Sequence, residues 1–244
     1  MGRFLVFGYG VISYLLFLIS FLYLIAFNGN FLVPKTVDSG QPQGWLLAVV
    51  INVGLMALFA VQHSVMARPA FKRWITRFIP ESMERSTYVL ATVVVLVPMM
   101  AFWQPVGGVI WQVDSTAGIT LLYGLMAIGW LLVLISTFLT DHFDLFGLRQ
   151  VYLELLKRSY TAIPFTERLV YQWVRHPMML GLLVAFWSIP AMSYGHLLFS
   201  TGMTLYIFIG IHYEERGLAE TLGEEYVRYQ QRTSAVFPGL SRKE

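Results

Sequence analysis

Two short polar clusters bracket one long apolar stretch in the last third of the chain. The first is Arg175-His176-Pro177-Met178-Met179-Leu180-Gly181, the second is Glu214-Glu215, and nothing from Met178 to Tyr213 carries a formal charge. Proline disfavours the helical region for the residue before it, so His176 must break from an incoming helix, and Pro177 is placed to open the next one. Arg175 and His176 then form the lip of a helix N-terminus, where unpaired backbone N–H groups and the helix dipole favour an anion. Gly181 lies one turn further along the same face, and its missing side chain would let a ligand approach the backbone. Glu214 and Glu215 offer carboxylates to a cation. The competing reading has Arg175 paired with a glutamate and snorkelling at a membrane interface.

Two further histidines are candidates for proton transfer. His142 has Asp141 and Asp144 close enough in sequence to fix its tautomer; alternatively Asp141-His142-Phe143-Asp144 only caps a helix end. His63, beside Gln62, lies near the end of an apolar run, where polar residues face a bundle interior; a structural histidine reads equally well there. His196 falls at the middle of the last apolar stretch, and His212 is one helical turn before Glu215 and could orient it. The chain has no cysteine, which excludes disulfides, thiolate metal sites and a cysteine nucleophile. The histidines lack a ligand spacing, and no metal is expected.

The elements that must position these residues are membrane helices. Of 244 residues 57% are hydrophobic and 13% charged, against roughly 25% charged in a soluble domain. Four charge-free runs, Phe4–Phe27, Trp45–Met66, Ser86–Gln104 and Gly118–Thr140, are long enough to cross a bilayer, which takes about 20 apolar residues. The first is too long for a signal-peptide core and no cleavage site follows it, so it is expected to remain as a helix. Apart from Lys35, all of the 17 Lys and Arg residues flank the spans on one side if the N-terminus is cytoplasmic. Both flanks of Met178–Tyr213 are then on that side. With Pro190, Ser193 and Gly195 to break it, this stretch reads as a helical hairpin dipping from the cytoplasmic face. Pro69–Ile79, with Phe71, Trp74, Ile75 and Phe78 at helical spacing between basic residues, reads as an amphipathic surface helix. A short helix is expected from a Thr166 cap to Arg175, and Leu218, Leu222, Tyr226 and Tyr229 make one apolar stripe on a final helix. The fold class is all-α: a polytopic integral membrane protein with four full transmembrane helices, a C-terminal helical hairpin (five to six hydrophobic helices in all) and cytoplasmic amphipathic helices. Residues 1–244 form one domain, with 1–140 as its four-helix membrane part and 141–244 as its ligand-binding part.

A hairpin brings both polar clusters to one membrane surface. A ligand with a carboxylate, an ammonium and a second positive centre would satisfy both, and S-adenosylmethionine is such a ligand. Arg175-His176-Pro177-x-x-x-Gly181, Glu214-Glu215, Leu218 and Leu222-Gly223-Glu224-Glu225-Tyr226-x-x-Tyr229 resemble the C-terminal cofactor signature of the isoprenylcysteine carboxyl methyltransferases and phospholipid N-methyltransferases. Those families often have a tyrosine where this chain has Met179. Over nearly the whole length, Gln62-His63-Ser64-Val65-Met66-Ala67-Arg68-Pro69, Glu84-Arg85-Ser86-Thr87-Tyr88 and Asp141-His142-Phe143-Asp144-Leu145-Phe146-Gly147-Leu148-Arg149-Gln150 resemble the bacterial methanethiol S-methyltransferases, close to the NnrU-like membrane proteins. The resemblance implies methyl transfer from S-adenosylmethionine to methanethiol, giving dimethyl sulfide and S-adenosylhomocysteine.

A thiolate is the competent nucleophile, so such a site needs a base or a positive field. His142 is the first candidate base and His63 its rival, while Arg85 and Tyr88 would close the pocket over the acceptor. The partners implied are a small volatile thiol and the lipid bilayer of the bacterial inner membrane, with both termini and the cofactor site cytoplasmic; no nucleic acid and no obligate protein partner are indicated. Two alternatives remain: a membrane methyltransferase acting on a lipid amine or another thiol, and a non-catalytic NnrU-like protein.

Overall fold

A computed structural model of the chain describes residues 2–42, 44–165 and 167–239. Its helices are α1 (Arg3–Gly29), α2 (Trp45–Ala67), α3 (Pro69–Ile75), α4 (Glu84–Phe102), α5 (Thr116–Leu139), α6 (His142–Leu145), α7 (Leu148–Leu155), α8 (Pro177–Trp187), α9 (Tyr194–Leu222) and α10 (Glu224–Arg232). Two short strands, β1 (Val109–Gln112) and β2 (Ala191–Ser193), pair with each other. Among the described residues, α1, α2, α4, α5 and α9 are long and apolar enough to cross a membrane. The first four coincide with the charge-free runs. Large side chains such as Phe4, Ile12, Ile19, Leu58 and Ile128 lie exposed on them, more apolar surface than a water-soluble fold leaves open. The protein is an integral membrane protein.

The chain divides into two compact units. The first comprises Met1–Gly108, Asp141–Ile163 and Ser193–Phe199. In it α1 packs on α4 and α7, and Gly10 lets Val151 come so close that a Cβ there would meet Val151 Cγ2 at 2.5 Å. Asn52, fully buried in α2, closes the end of α4: its Nδ2 donates to the Gln104 carbonyl (2.7 Å) and its Oδ1 accepts from the Gln104 N–H (2.8 Å). A buried amide in an apolar helix is thereby satisfied on both sides. The surface helix α3 begins with Pro69 at its first position and carries exposed Trp74, as its amphipathic pattern requires.

The second unit comprises Val109–Thr140, Pro164–Met192 and Ser200–Glu244. Ser115 caps α5 by accepting from the Gly118 N–H. The α5 and α8 backbones touch at glycines: a Cβ on Gly129 would meet the Gly181 carbonyl at 2.6 Å, and a Cβ on Gly181 would meet the Gly129 carbonyl at 2.6 Å. Helices α8 and α9 run back to back, joined by Trp187 Nε1 to Thr204 Oγ1 (2.9 Å) and Ser200 Oγ to the Phe186 carbonyl (2.8 Å).

The hairpin of α8 and α9 differs from the shallow dip expected of it. Within the first unit, Ser193 Oγ donates to Asp38 in the α1–α2 loop, and the Tyr194 N–H donates to the Gly108 carbonyl beyond α4 (3.2 Å). Both loops lie at the ends of α1, α2 and α4 remote from basic Arg68–Arg85, so the turn reaches the opposite face. Helix α8 has 11 residues, about 17 Å, but the extended stretch Ser188–Ser193 adds up to about 20 Å. The return arm from Tyr194 to Glu215 covers about 32 Å as helix, so the two arms match. Extended backbone is tolerated at this depth only where protein satisfies it: Val113 N–H donates to the Pro190 carbonyl (2.9 Å) and Trp111 Nε1 to the Ile189 carbonyl (3.2 Å).

Candidate functional site

The two polar ends of the hairpin meet within the second unit. Arg175 donates from Nε to Glu215 Oε1 (2.7 Å), with Nη2 at 2.5 Å from the same oxygen. His176 Nε2 lies 3.1 Å from Glu215 Oε1, and its Nδ1 lies 3.6 Å from Glu214 Oε2. His176 is buried, whereas the Glu214 side chain is half-exposed. Pro177 opens α8, and the Leu180 N–H already bonds to the His176 carbonyl (3.0 Å). The N–H groups of Met178 and Met179 have no preceding turn to bond to and face the lip.

The sequence did not foretell the strap that fixes this lip. After α10 the chain runs extended, and Ser234 bridges Val174 in parallel; the Arg175 N–H donates to the Ser234 carbonyl (2.9 Å) and the His176 N–H to the Ala235 carbonyl (2.9 Å). Arg175 Nη1 donates to the carbonyls of Gln230 (2.9 Å) and Thr233, and Gln230 Nε2 donates to Glu215 Oε2 (3.3 Å). Tyr229 donates to the Tyr171 carbonyl (2.5 Å). Burial pushes the Tyr171 hydroxyl up to about 12, with a smaller contribution from Glu214. Arg175 is thus paired with a glutamate, as the competing reading held, and in that pairing it ties both arms to the strap.

Four expectations change here. Gly181 lacks a side chain because α5 crosses it, not to admit a ligand. Of the helix expected between Thr166 and Arg175, only a 3-10 turn, Leu169–Gln172, is present, and Thr166 lies outside the described residues. The stripe Leu218–Tyr229 is split: Gly223, at φ 61°, separates Leu218 and Leu222 on α9 from Tyr226 and Tyr229 on α10. His212 is exposed; Glu215 is oriented by Arg175, His176 and Gln230 instead.

The remaining candidates lie in the first unit, where they form separate clusters. His142 is buried, and its Nε2 shares a hydrogen bond with the Tyr14 hydroxyl (2.8 Å), edge-on to Phe146. Burial lowers its pKa and the Asp141 charge partly opposes this. Asp141 caps the short helix by accepting from the Asp144 N–H (3.0 Å). The Asp144 carboxylate takes Arg149 Nη1 (2.9 Å) and the Tyr160 hydroxyl (3.3 Å). His63 packs between α2 and α4, stacked on Phe59, with Nδ1 at 3.2 Å from Thr92 Oγ1. The Tyr88 hydroxyl donates to the His63 carbonyl (3.3 Å). Arg85 points elsewhere, into an open cleft of about 380 Å³ shared with Glu81, Gln150, Arg158 and Tyr160. Tyr88 is not among the residues that line this cleft. Tyr14 and Tyr160 carried no sequence signal, because each is identified only by its partner, His142 and Asp144 respectively.

The lip sets the N-terminus of α8 beside the half-exposed Glu214 carboxylate, with Tyr226 buried next to them. Residues 51–240 match the NnrU protein family. The chain is 50% identical over 238 residues to a methanethiol S-methyltransferase of Mycobacterium tuberculosis, covering 98% of each chain. It is 44% identical to a methanethiol S-methyltransferase of Crocosphaera subtropica, covering 100% of this chain and 95% of the other. With nurim of Bos taurus it shares 32% identity, covering 81% of this chain and 79% of nurim. No solved structure matches it.

Proposed function

The chain belongs to the NnrU protein family and to the family of the methanethiol S-methyltransferases, and from that premise we propose that it transfers a methyl group from S-adenosylmethionine to methanethiol. The thiol sulfur gains a C–S bond as the sulfonium loses one; the thiol proton passes to a base, and the products are dimethyl sulfide and S-adenosylhomocysteine. The observation that carries this reading is the meeting of Arg175-His176 with Glu214-Glu215 at the open ends of one hairpin.

Bound there, S-adenosylmethionine supplies an activated methyl group and part of the positive field that favours a thiolate. The lip from His176 through Pro177 to Leu180 takes its anionic end, and Glu214 takes a cationic one. Arg175 and Glu215 hold the two sides in register, and Gly181 sets the depth of the lip by fixing α8 on α5. His142, kept neutral by burial, is the proposed proton acceptor, with Tyr14 and Asp141 as its immediate support. Residues 1–244 act as one membrane methyltransferase domain in the bacterial inner membrane, with termini and clasp cytoplasmic. Neither nucleic acid nor a protein partner is required.

The test supplies purified protein in detergent with methyl-labelled S-adenosylmethionine and methanethiol, then samples the headspace. Labelled dimethyl sulfide is expected. Label appearing in added phospholipid amines, with none in the headspace, would replace the thiol by a lipid acceptor; no transfer to either would leave a non-catalytic member of the family.

A further inference from the structure

The open cleft beside α4 lies wholly in the first unit, and methyl transfer makes no use of it. One wall is the turn Glu81–Met83 with the first residues of α4; the other is α7 with the segment from Arg158 to Tyr160. Both walls are held from behind. Met83 and Val151 are buried against Val6 of α1, Gln150 Nε2 donates to the Asp144 carbonyl (3.1 Å), and Ser86 Oγ donates to the Gly147 carbonyl (3.3 Å). The cleft is therefore preformed, and its volume of about 380 Å³ falls within the roughly 300–1,000 Å³ of small-molecule sites. Its chemistry is of two signs. Among the described residues the guanidinium groups of Arg85 and Arg158 make no hydrogen bond or ion pair, and neither do the carboxylates of Glu81 and Glu154. The third acid, Glu84, already faces Lys72 Nζ at 3.8 Å. Two cations and two anions are left over, which suits neither a plain anion nor a plain cation. Two polar atoms of the lining residues, Ser82 Oγ and Gln150 Oε1, are also buried without a hydrogen-bond partner among the described residues. One can donate and the other can accept.

We propose that this cleft binds the headgroup of phosphatidylethanolamine, with the phosphate on Arg85 and Arg158 and the ammonium between Glu81 and Glu154. Guanidinium groups take a phosphate through paired donors, and a primary ammonium has three N–H groups to give to carboxylates. Choline has no such N–H group, and phosphatidylglycerol has no cation. Depth selects a lipid over a soluble phosphoethanolamine ester. Glu84 and Arg85 open α4 at the end of its apolar run, and Trp74 and Phe78 lie exposed just ahead of them, which is the level of lipid headgroups. An ammonium held between two carboxylates stays protonated and has no lone pair with which to attack a methyl group. The lipid is thus a resident ligand and not a methyl acceptor.

The experiment follows thermal unfolding of the full-length protein in detergent, titrated separately with four probes. These are the dioctanoyl forms of phosphatidylethanolamine, phosphatidylcholine and phosphatidylglycerol, and the soluble ester glycerophosphoethanolamine. A ligand that binds only the folded protein raises Tm with its concentration, so each titration reports an affinity. Phosphatidylethanolamine should bind about tenfold tighter than the other three, and Glu154→Gln and Arg158→Gln, both at exposed positions, should each weaken it about tenfold. The ligand-free Tm should not change in either variant. Lys157→Gln, which removes an exposed cation outside the cleft, should leave the affinity as it was. Equal affinity for phosphatidylglycerol, or an equal loss in Lys157→Gln, would overturn the proposal by leaving only a basic surface. Equal affinity for phosphatidylcholine would overturn it by removing the carboxylates from the site. Glycerophosphoethanolamine binding as tightly as the lipid would overturn the choice of a membrane ligand.

Discussion

Glu214 and Glu215 are adjacent in the chain and differ in what they hold. Glu215 takes Arg175 and His176 on one oxygen and Gln230 on the other, whereas Glu214 is half-exposed, with His176 Nδ1 at 3.6 Å. Removing one partner of a buried ion pair costs about 3–5 kcal/mol because the other charge is left stranded. Glu215→Gln, which keeps a hydrogen-bonding side chain, should lose part of that, lowering Tm and cofactor affinity together. Glu214→Gln should leave Tm unchanged and weaken S-adenosylhomocysteine by about 1.5–3 kcal/mol, the value of a charge-assisted contact. Thermal unfolding paired with calorimetry separates the two, and a Tm loss confined to Glu214→Gln would reverse the assignment. His142 makes a second residue-scale prediction. Burial lowers its pKa, so its neutral, basic form persists to lower pH than in a free histidine, ordinarily about 6.5. The acid limb of the turnover profile should therefore lie below about pH 6.5. Asp141→Asn keeps a capping side chain but removes a charge that raises the pKa, so the limb should move further down. A limb that moves up on this substitution would exclude His142 as the titrating base.

Individual residues were legible in sequence when their chemistry is local, and opaque when it is shared across the chain. Arg175-His176-Pro177 announces a helix start through proline geometry alone, and α8 begins there. Tyr14, 128 positions from His142, and the strap at Ser234–Ala235 have no such local marker. Elements show the same division. The four charge-free runs became helices nearly to the residue, because lipid requires internally bonded backbone over a fixed length. The stripe from Leu218 to Tyr229 failed as a single helix because periodicity does not register a break in which the pattern continues on the far side. Gly181 was legible as special and misread in purpose, since a bare backbone serves a ligand or a neighbouring helix equally well. That ambiguity has a test at the scale of the element. Gly181→Ala places a Cβ 2.6 Å from the Gly129 carbonyl, so α5 and α8 must separate, at the cost of about 1–3 kcal/mol typical of overpacking. Tm should fall accordingly. The companion substitution Gly124→Ala, on the same α5 where nothing lies within 4 Å of the added methyl, should leave Tm unchanged; a loss there equal to that at Gly181 would locate the effect in the helix rather than in the crossing.

At the scale of the whole molecule, the distribution of Lys and Arg predicts the direction of every span, and the depth of the hairpin is the feature on which composition and structure differ. Composition demands only that both ends of Met178–Tyr213 lie on the basic side. A dip and a full crossing satisfy that equally, and counting helical rise alone favours the dip, because an extended segment is not normally allowed to bridge hydrocarbon. Pairing of Ser188–Ser193 with β1 and its neighbours removes that objection, and the bond from Ser193 to Asp38 carries the turn to the far surface. The absence of cysteine makes the distinction measurable. Single cysteines at Gln41, Tyr194 and Arg73, all exposed within the first unit, report the α1–α2 loop, the hairpin turn and the basic α3 helix. A membrane-impermeant maleimide applied to spheroplasts with intact inner membranes should label Gln41→Cys and Tyr194→Cys and spare Arg73→Cys until the cells are opened. Labelling of Gln41→Cys without Tyr194→Cys, even after permeabilisation, would return the hairpin to mid-membrane. The extended half of its first arm would then have no far-side partner.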